Sequence, residues 1–447
     1  MQLTPLLQAF KLGHTTPSAY LQSCLARIAK KETAIHAFAH IDIETAITQA
    51  EQSTLRYQQG RAYSAIDGIP LGIKDIIATY DMPTCMGSPI YTGWQSKRDA
   101  LAVDALRRAG TIILGKTHTT EFAYGRAAPT KNPFNTAHTP GGSSSGTAAG
   151  VAAGFFPAGL ATQTQGSILR PASYCGAFGY KPSHQLLSLE GIHPVSSSHD
   201  HLGVIANSLD LAWEMSKCIA QASSPTAAPV YANLMPPSQP PRLALLHTLA
   251  WGELNSKERE VFDTRIQTWR QSGIEVVDQY SDPDLAKFCQ HLEQISQLSA
   301  EMVAADMAWP YLQYVERHSM QLSEKIKNAV TLGKTVAADH YLSLLRHRAE
   351  LQHQAKRLAQ KYELFVLPAA SGVAPIGLSN TGSRSLLVYA SFLGLPALSL
   401  PILEVAGLPM GVQLIGHWHQ DHALFHYGHY LYQLSTQESH DETYFAD

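Results

Sequence analysis

The chain has 447 residues, of which 45% are hydrophobic and only 15% charged. That charged share is below the roughly 25% of an average globular protein, and a chain this long can bury a large core. Its 33 basic and 36 acidic residues leave a formal net charge of −3, which supplies no electrostatic footprint for nucleic acid or an anionic membrane, so neither is expected as a partner. A prior of roughly 150 residues per domain suggests three domains, but one large α/β unit is equally allowed. The five cysteines, Cys24, Cys85, Cys175, Cys218 and Cys289, are scattered and form no CxxC pair. They argue against a disulfide framework or a structural zinc site and fit a reducing compartment. Met1 to Lys30 lacks a charged start followed by an apolar run, so no signal peptide is expected and the chain is read as cytoplasmic.

Thr16-Pro17 predicts a helix start, with Thr as N-cap and Pro at the first helical position. Leu21, Leu25 and Ile28 then share a face. Ile69 to Lys74 reads as a buried strand running into a loop, and Thr111 to Leu114 as a second strand. Thr147 to Ala153 reads as a helix of small residues that packs closely. Ser223 to Pro241, rich in Pro, Ser and Ala, reads as a connector. Next come a strand at Leu243 to Leu246, a helix with Phe262, Ile266 and Trp269 on one face, closure at Gly273, and a strand at Ile274 to Val277. Asp282 to Lys361 is mostly helical by pattern, and Leu364 to Leu367 is another buried strand. Leu386 to Leu403 is uncharged and of membrane length, but Pro396 and Pro401 make it a buried helix followed by a strand. Strands interleaved with helices imply an α/β fold with a parallel or mixed sheet.

Three segments could carry chemistry. Gly141-Gly142-Ser143-Ser144-Ser145-Gly146 lacks the Gly-Lys-Ser/Thr ending of a phosphate loop, and alone it reads as a flexible Gly/Ser stretch. Gly166-Ser167, within Gln163 to Ala172, lacks the G-x-S-x-G elbow. Gly68-Ile69-Pro70-Leu71-Gly72-Ile73-Lys74-Asp75 puts a lysine in an apolar stretch. Lysine is rarely buried without a partner. A snorkelling lysine or a Lys–Asp pair is the plainer reading of that segment by itself.

Together and in this order, the three segments resemble the amidase signature family: a Gly-Ile-Pro-x-x-x-Lys-Asp segment, a Gly-Gly-Ser-Ser loop and a Gly-Ser segment, with Ser167 following Ser143 by 24 residues. Lys116-Thr117 through Glu121-Phe122, Gly179-Tyr180-Lys181-Pro182, Asp200-His201-Leu202-Gly203 and Gly407 through Gly416 also look like family landmarks, so the resemblance covers nearly the whole chain. It implies a single amidase-signature domain over 1–447, with a central twisted mixed sheet flanked by helices on both faces. The catalytic core would lie at about 60–210 and 364–432, with a helical insertion at about 283–362 covering the substrate pocket.

The resemblance also implies roles. Ser167 would form the acyl-enzyme, Ser143 would be the middle serine and Lys74 the terminal base, with a cis peptide at Gly142–Ser143. The backbone N–H groups of Thr164, Gln165, Gly166 and Ser167 would form the oxyanion hole. Gly142, Ser144 and Arg170 would support the site; Arg170 could instead orient a substrate carboxylate. A serine must lose its proton as it attacks, and a lysine can take it only when neutral, which apolar burial favours. On a strand, Asp75 would face away from Lys74 and need not hold it protonated.

This chain departs from the family's common Asp-Thr-Gly-Gly-Ser-Ile-Arg. Gln163 stands for the carboxylate, Gln165 for a glycine, and Arg170 is displaced by one position. These changes bear on substrate preference. If the replaced glycine needed a positive φ, the loop must differ here. The pocket is expected from loops after Lys74, from Thr120 to Arg126 and from Asp282 to Lys361.

The expected activity is hydrolysis of a small-molecule C–N bond in an amide, carbamate or urea-type substrate, with water as co-substrate and no cofactor. The alternatives are a glutamine-hydrolysing amidotransferase subunit needing partner chains, and a catalytically inactive family member. A homodimer or a small partner subunit is the expected assembly. Among 21 histidines, His422, His426 and His429 share a helical face near His417 and His419. No H-E-x-x-H order accompanies them, and no metal site is expected.

Overall fold

Thr16 caps a helix as its sequence predicts: its hydroxyl accepts from the Ala19 N–H, and Pro17 takes the first helical position. In the computed structural model, which describes residues 5–223, 227–231 and 239–441, this helix is α2 (Pro17–Ile35), after α1 (Pro5–Leu12). Much of the predicted Ser223–Pro241 connector lies outside the described residues. β1 (Phe38–Ile41), α3 (Ile43–Gln58) and β2 (Pro70–Lys74) follow, then α4 (Leu101–Arg108) and β3 (Ile112–Thr117). The next stretch holds α5 (Ser145–Ala152), β4 (Ala158–Gln163), α6 (Leu169–Tyr174), β5 (Phe178–Lys181), β6 (His201–Ala206) and α7 (Leu209–Ser223).

β7 (Leu243–Leu245), α8 (Ser256–Gln271) and β8 (Val276–Val277) form the predicted βαβ unit, with β7 and β8 parallel. Phe262, Ile266 and Trp269 are buried on one face of α8, and Gly273 adopts φ 88° just beyond its end. Four helices then intervene before the next strand: α9 (Pro283–Leu292), α10 (Ile295–His318), α11 (Glu324–Thr335) and α12 (Ala338–Leu358). The chain closes with β9 (Leu364–Pro368), α13 (Val388–Leu393), β10 (Ala397–Val405), β11 (Leu408–Ile415) and α14 (Asp421–Asp441). The uncharged Leu386–Leu403 run is thus a buried helix and a strand. Among the described residues, no helix is long and apolar enough to cross a membrane.

Among the described residues, eleven strands join one mixed sheet in the order β1-β3-β2-β4-β6-β5-β10-β11-β9-β7-β8. β3, β2 and β4 run parallel, as do β9, β7 and β8, while the strands between β4 and β9 pair antiparallel. Every residue of β2, β3, β4, β6, β9 and β11 is buried. Side chains alternate between faces along a strand, so helices must cover the sheet on both sides.

Two features of this core position the site. β2 lies parallel to β4 with Ile73 opposite Leu160, so Lys74 and Gln163 emerge at the same strand-end edge, where α/β sheets form their crevices. Close approach there depends on absent side chains. A Cβ on Gly159 would meet the Gly72 carbonyl oxygen at 2.5 Å, and one on Gly150 of α5 would meet the Phe156 ring at 2.3 Å. The small-residue helix α5 can therefore pack tightly against the sheet.

Candidate active site

Lys74 ends β2 with no exposed surface. Its Nζ lies 2.6 Å from Ser143 Oγ, 2.8 Å from Thr162 Oγ1 and 3.3 Å from the Thr162 carbonyl oxygen. Burial holds its pKa well below the ordinary lysine range; the Asp200 carboxylate opposes that shift and Arg170 adds to it. Asp75 turns instead to Lys116, 3.4 Å away, and accepts from the Cys85 N–H. The Lys74 amine thus has neutral oxygens as its hydrogen-bond partners, a setting that favours the free base. The Gly142–Ser143 peptide is cis. Ser144 lies behind it, its N–H reaching the Ser167 carbonyl at 3.4 Å and its hydroxyl the Thr162 carbonyl at 3.3 Å.

Ser143 and Ser167 line one cavity of about 40 Å³. Thr164, Gln165 and Gly166 line it as well. Among the described residues, the N–H groups of Gln165, Gly166 and Ser167 donate to no protein acceptor, which leaves them available to an incoming oxygen. The Thr164 hydroxyl donates to Asp200 at 2.7 Å. Asp200 also accepts the Val195 and Ser196 N–H groups, and burial raises its pKa to about 6.

The two glutamines do not act as their sequence context suggests. Gln163 is fully buried, and its amide oxygen accepts the Ile168 and Leu169 N–H groups at 2.9 and 3.1 Å. It caps the start of α6, a task needing an acceptor oxygen rather than a charge. Its amide nitrogen donates to Ser391. Gln163 does not line the cavity, so its bearing on substrate preference runs through the loop it holds. Gln165 is not among the residues with positive φ, so its loop needs no glycine. Its side chain donates to Ser299 of α10 at 2.8 Å, and Ser299 lies 3.1 Å from His199 Nε2. Gln165 therefore ties the loop to the long helix.

Arg170 is buried, and desolvation lowers its pKa to about 10. Nη2 donates to the Gly142 carbonyl at 2.6 Å and to Thr381 Oγ1 at 3.0 Å, while Nη1 donates to the Gly382 and Ser383 carbonyls at 3.0 and 3.1 Å. Its donors thus fasten the serine loop to the 381–383 segment. Arg170→Met strands three carbonyls and is expected to cost about 3 kcal/mol of stability in urea unfolding. A loss below about 0.5 kcal/mol would mean that other donors replace it.

The cavity wall differs from expectation in one respect. Thr120, Ala123, Tyr124 and Gly125 line it, as does Lys325 of α11, but no residue just after Lys74 does. The turn there leads Asp75 away to Lys116. Thr381 and Arg384 form that wall instead. These two and Thr162 escaped sequence reasoning, and Lys325 was expected only as part of the 282–361 segment; strand pairing and chain return bring them in, and no local motif marks them. Phe122 and Ala123 hold φ of 48° and 56°, an uncommon conformation for residues with a side chain. Phe122 stacks on Tyr314 of α10 at 5.2 Å.

A larger cavity of about 760 Å³ lies among α12, the start of β9 and α14 and contains none of the candidate residues. Among the described residues, no group of three or more His, Cys, Asp or Glu could hold a metal. His429 faces Asp210 at 3.1 Å, and His417 Nε2 lies 2.7 Å from the Tyr362 carbonyl oxygen.

A model of the family described as Amidase matches residues 19–425. The chain belongs to the amidase family. A solved amidase superposes with a TM-score of 0.83 at 26% identity, over 96% of this chain and 99% of the other. The peptide amidase of Stenotrophomonas maltophilia matches with a TM-score of 0.76 over 98% and 97% of the two chains; at 24% identity that is a likeness of fold alone. Among curated relatives of the family, a glutamyl-tRNA(Gln) amidotransferase subunit from Chloroflexus aggregans is 30% identical over 450 residues, covering 91% of each chain.

Proposed function

We propose that this protein hydrolyses the C–N bond of a small amide-type substrate, an amide, carbamate or urea derivative, through an acyl-enzyme on Ser167. The observation that carries this reading is the 2.6 Å contact between buried Lys74 and Ser143, in a cavity that Ser143 shares with Ser167. Ser143 gives its proton to neutral Lys74 and takes the Ser167 proton as Ser167 Oγ bonds to the carbonyl carbon. The oxygen gains negative charge and meets the free N–H groups of Gln165, Gly166 and Ser167; Thr164 completes the loop. Lys74 returns its proton through Ser143 to the leaving nitrogen, the C–N bond breaks, and the amine or ammonia departs. Water then adds to the acyl carbon by the same relay and releases Ser167. The helices between 283 and 362 act as the pocket's cover, a role supported by Lys325 in its wall and by the Gln165–Ser299 bond.

A second reading is favoured by the curated relatives. It makes the chain a glutamine-hydrolysing component of an amidotransferase that requires partner chains. Ammonia release by the purified chain separates the two. The first predicts turnover of simple primary amides by the chain alone, at rates unaffected by partners. No turnover alone, with glutamine hydrolysis appearing only when amidotransferase partner chains are added, would select the second.

A further inference from the structure

The active-site cavity carries charge of one sign. Lys325, Arg384 and Arg170 line it, and none of its lining residues is acidic. Apart from a buried Nε that has no partner among the described residues, Arg170 is occupied by carbonyl and hydroxyl acceptors. Lys325 and Arg384 are not: among the described residues neither side chain has a carboxylate partner, and Lys325 rests over the Tyr124 ring at 5.2 Å. The positive charges of Arg384 and Arg170 add to desolvation in lowering the Lys325 pKa to about 8, so these cations crowd one another. The carboxylates behind the wall are already engaged. Glu121 accepts the Ser323 and Arg126 N–H groups, and Asp200 holds Thr164, Val195 and Ser196.

Adjacent cations without counter-charge, beside a reacting serine, select an anion. We infer that the amide cleaved here carries a carboxylate, received by Lys325 and Arg384, and carries no ammonium group. This rests on the amide-hydrolysis reading and deepens it. Arg384 supplies planar paired donors to the carboxylate, and Lys325 a point charge on its other side. An ammonium on the same substrate would face three cations and no acidic side chain. The cavity is small, about 40 Å³, so the substrate is compact. The matching class is the ω-amide of a short dicarboxylic acid, or its carboxylated urea counterpart.

The test uses the full chain with malonamate, succinamate and glutaramate, with pentanamide lacking the carboxylate and glutamine adding the ammonium. The best amidic acid is expected to exceed pentanamide and glutamine in kcat/KM by at least about 30-fold. Arg384→Gln and Lys325→Gln are each expected to cut its ratio over pentanamide by about tenfold or more, mainly through KM. Arg384→Lys should recover part of that ratio. Equal turnover of pentanamide, preference for glutamine, or variants that lower both substrates equally would overturn the inference. Labelling of Ser167 by a serine-directed phosphonate is measured alongside, with succinate and glutarate as protectants. No labelling would mean that the hydrolase reading itself has failed. Labelling that neither dicarboxylate slows would sink the carboxylate site alone.

Discussion

Ser167→Ala is expected to abolish turnover, lowering kcat by at least about 10⁴-fold, and to abolish labelling by a serine-directed phosphonate. The size follows from chemistry: without the hydroxyl, water must attack the amide directly, and only the N–H groups of the loop still act. Ser143 stays beside Lys74 at 2.6 Å, so a residual label on Ser143 would show that the two serines have been assigned in the wrong order. Labelling that survives unchanged would remove Ser167 from the mechanism. The variant is expected to fold normally, because the Ser167 carbonyl that accepts from Ser144 is backbone.

Lys74→Met is expected to lower amide hydrolysis by about 10³-fold and ester hydrolysis at least about tenfold less. An amide nitrogen must be protonated to leave and an alkoxide largely need not, so the proton returned by Lys74 matters more for the amide. Equal losses would make Lys74 structural. The pH profile follows from the same residue. Burial lowers the Lys74 pKa well below 10.5, and in the proposed relay the base form is the active one. The rate kcat/KM should therefore rise with pH through that lowered pKa and then level, rather than climb through the ordinary lysine range. Lys74→Met should lose this rising limb while any limb from the substrate remains.

Much of the fold was legible in the sequence because it follows from short-range rules. Thr16 and Pro17, the apolar face of α8 and the two prolines in 386–403 announce their elements through capping, periodicity and backbone restriction. The cavity wall was legible only in part: the 120–126 and 282–361 segments were expected and contribute to it, whereas Thr381 and Arg384 were not expected. Thr381 meets Arg170 from 211 residues along the chain, through antiparallel returns that no periodicity encodes. Gln163 shows the limit from the other side. Its identity left its effect on the serine loop open, and its burial and its bonds to Ile168 and Leu169 show a capping group that works without charge.

The sequence by itself determined the α/β alternation, the family resemblance and the three proton-handling candidates, because motif order and local propensity live along the chain. Only the tertiary structure decided what surrounds Lys74. The parallel pairing of β2 with β4 buries it beside Thr162 and Ser143 and leaves Asp75 to Lys116, so desolvation outweighs the Asp200 carboxylate and the free amine is favoured. The same folding brought Lys325 and Arg384 to one wall. Charge at a pocket depends on which distant side chains converge there, and convergence is a property of the packed sheet and its helices.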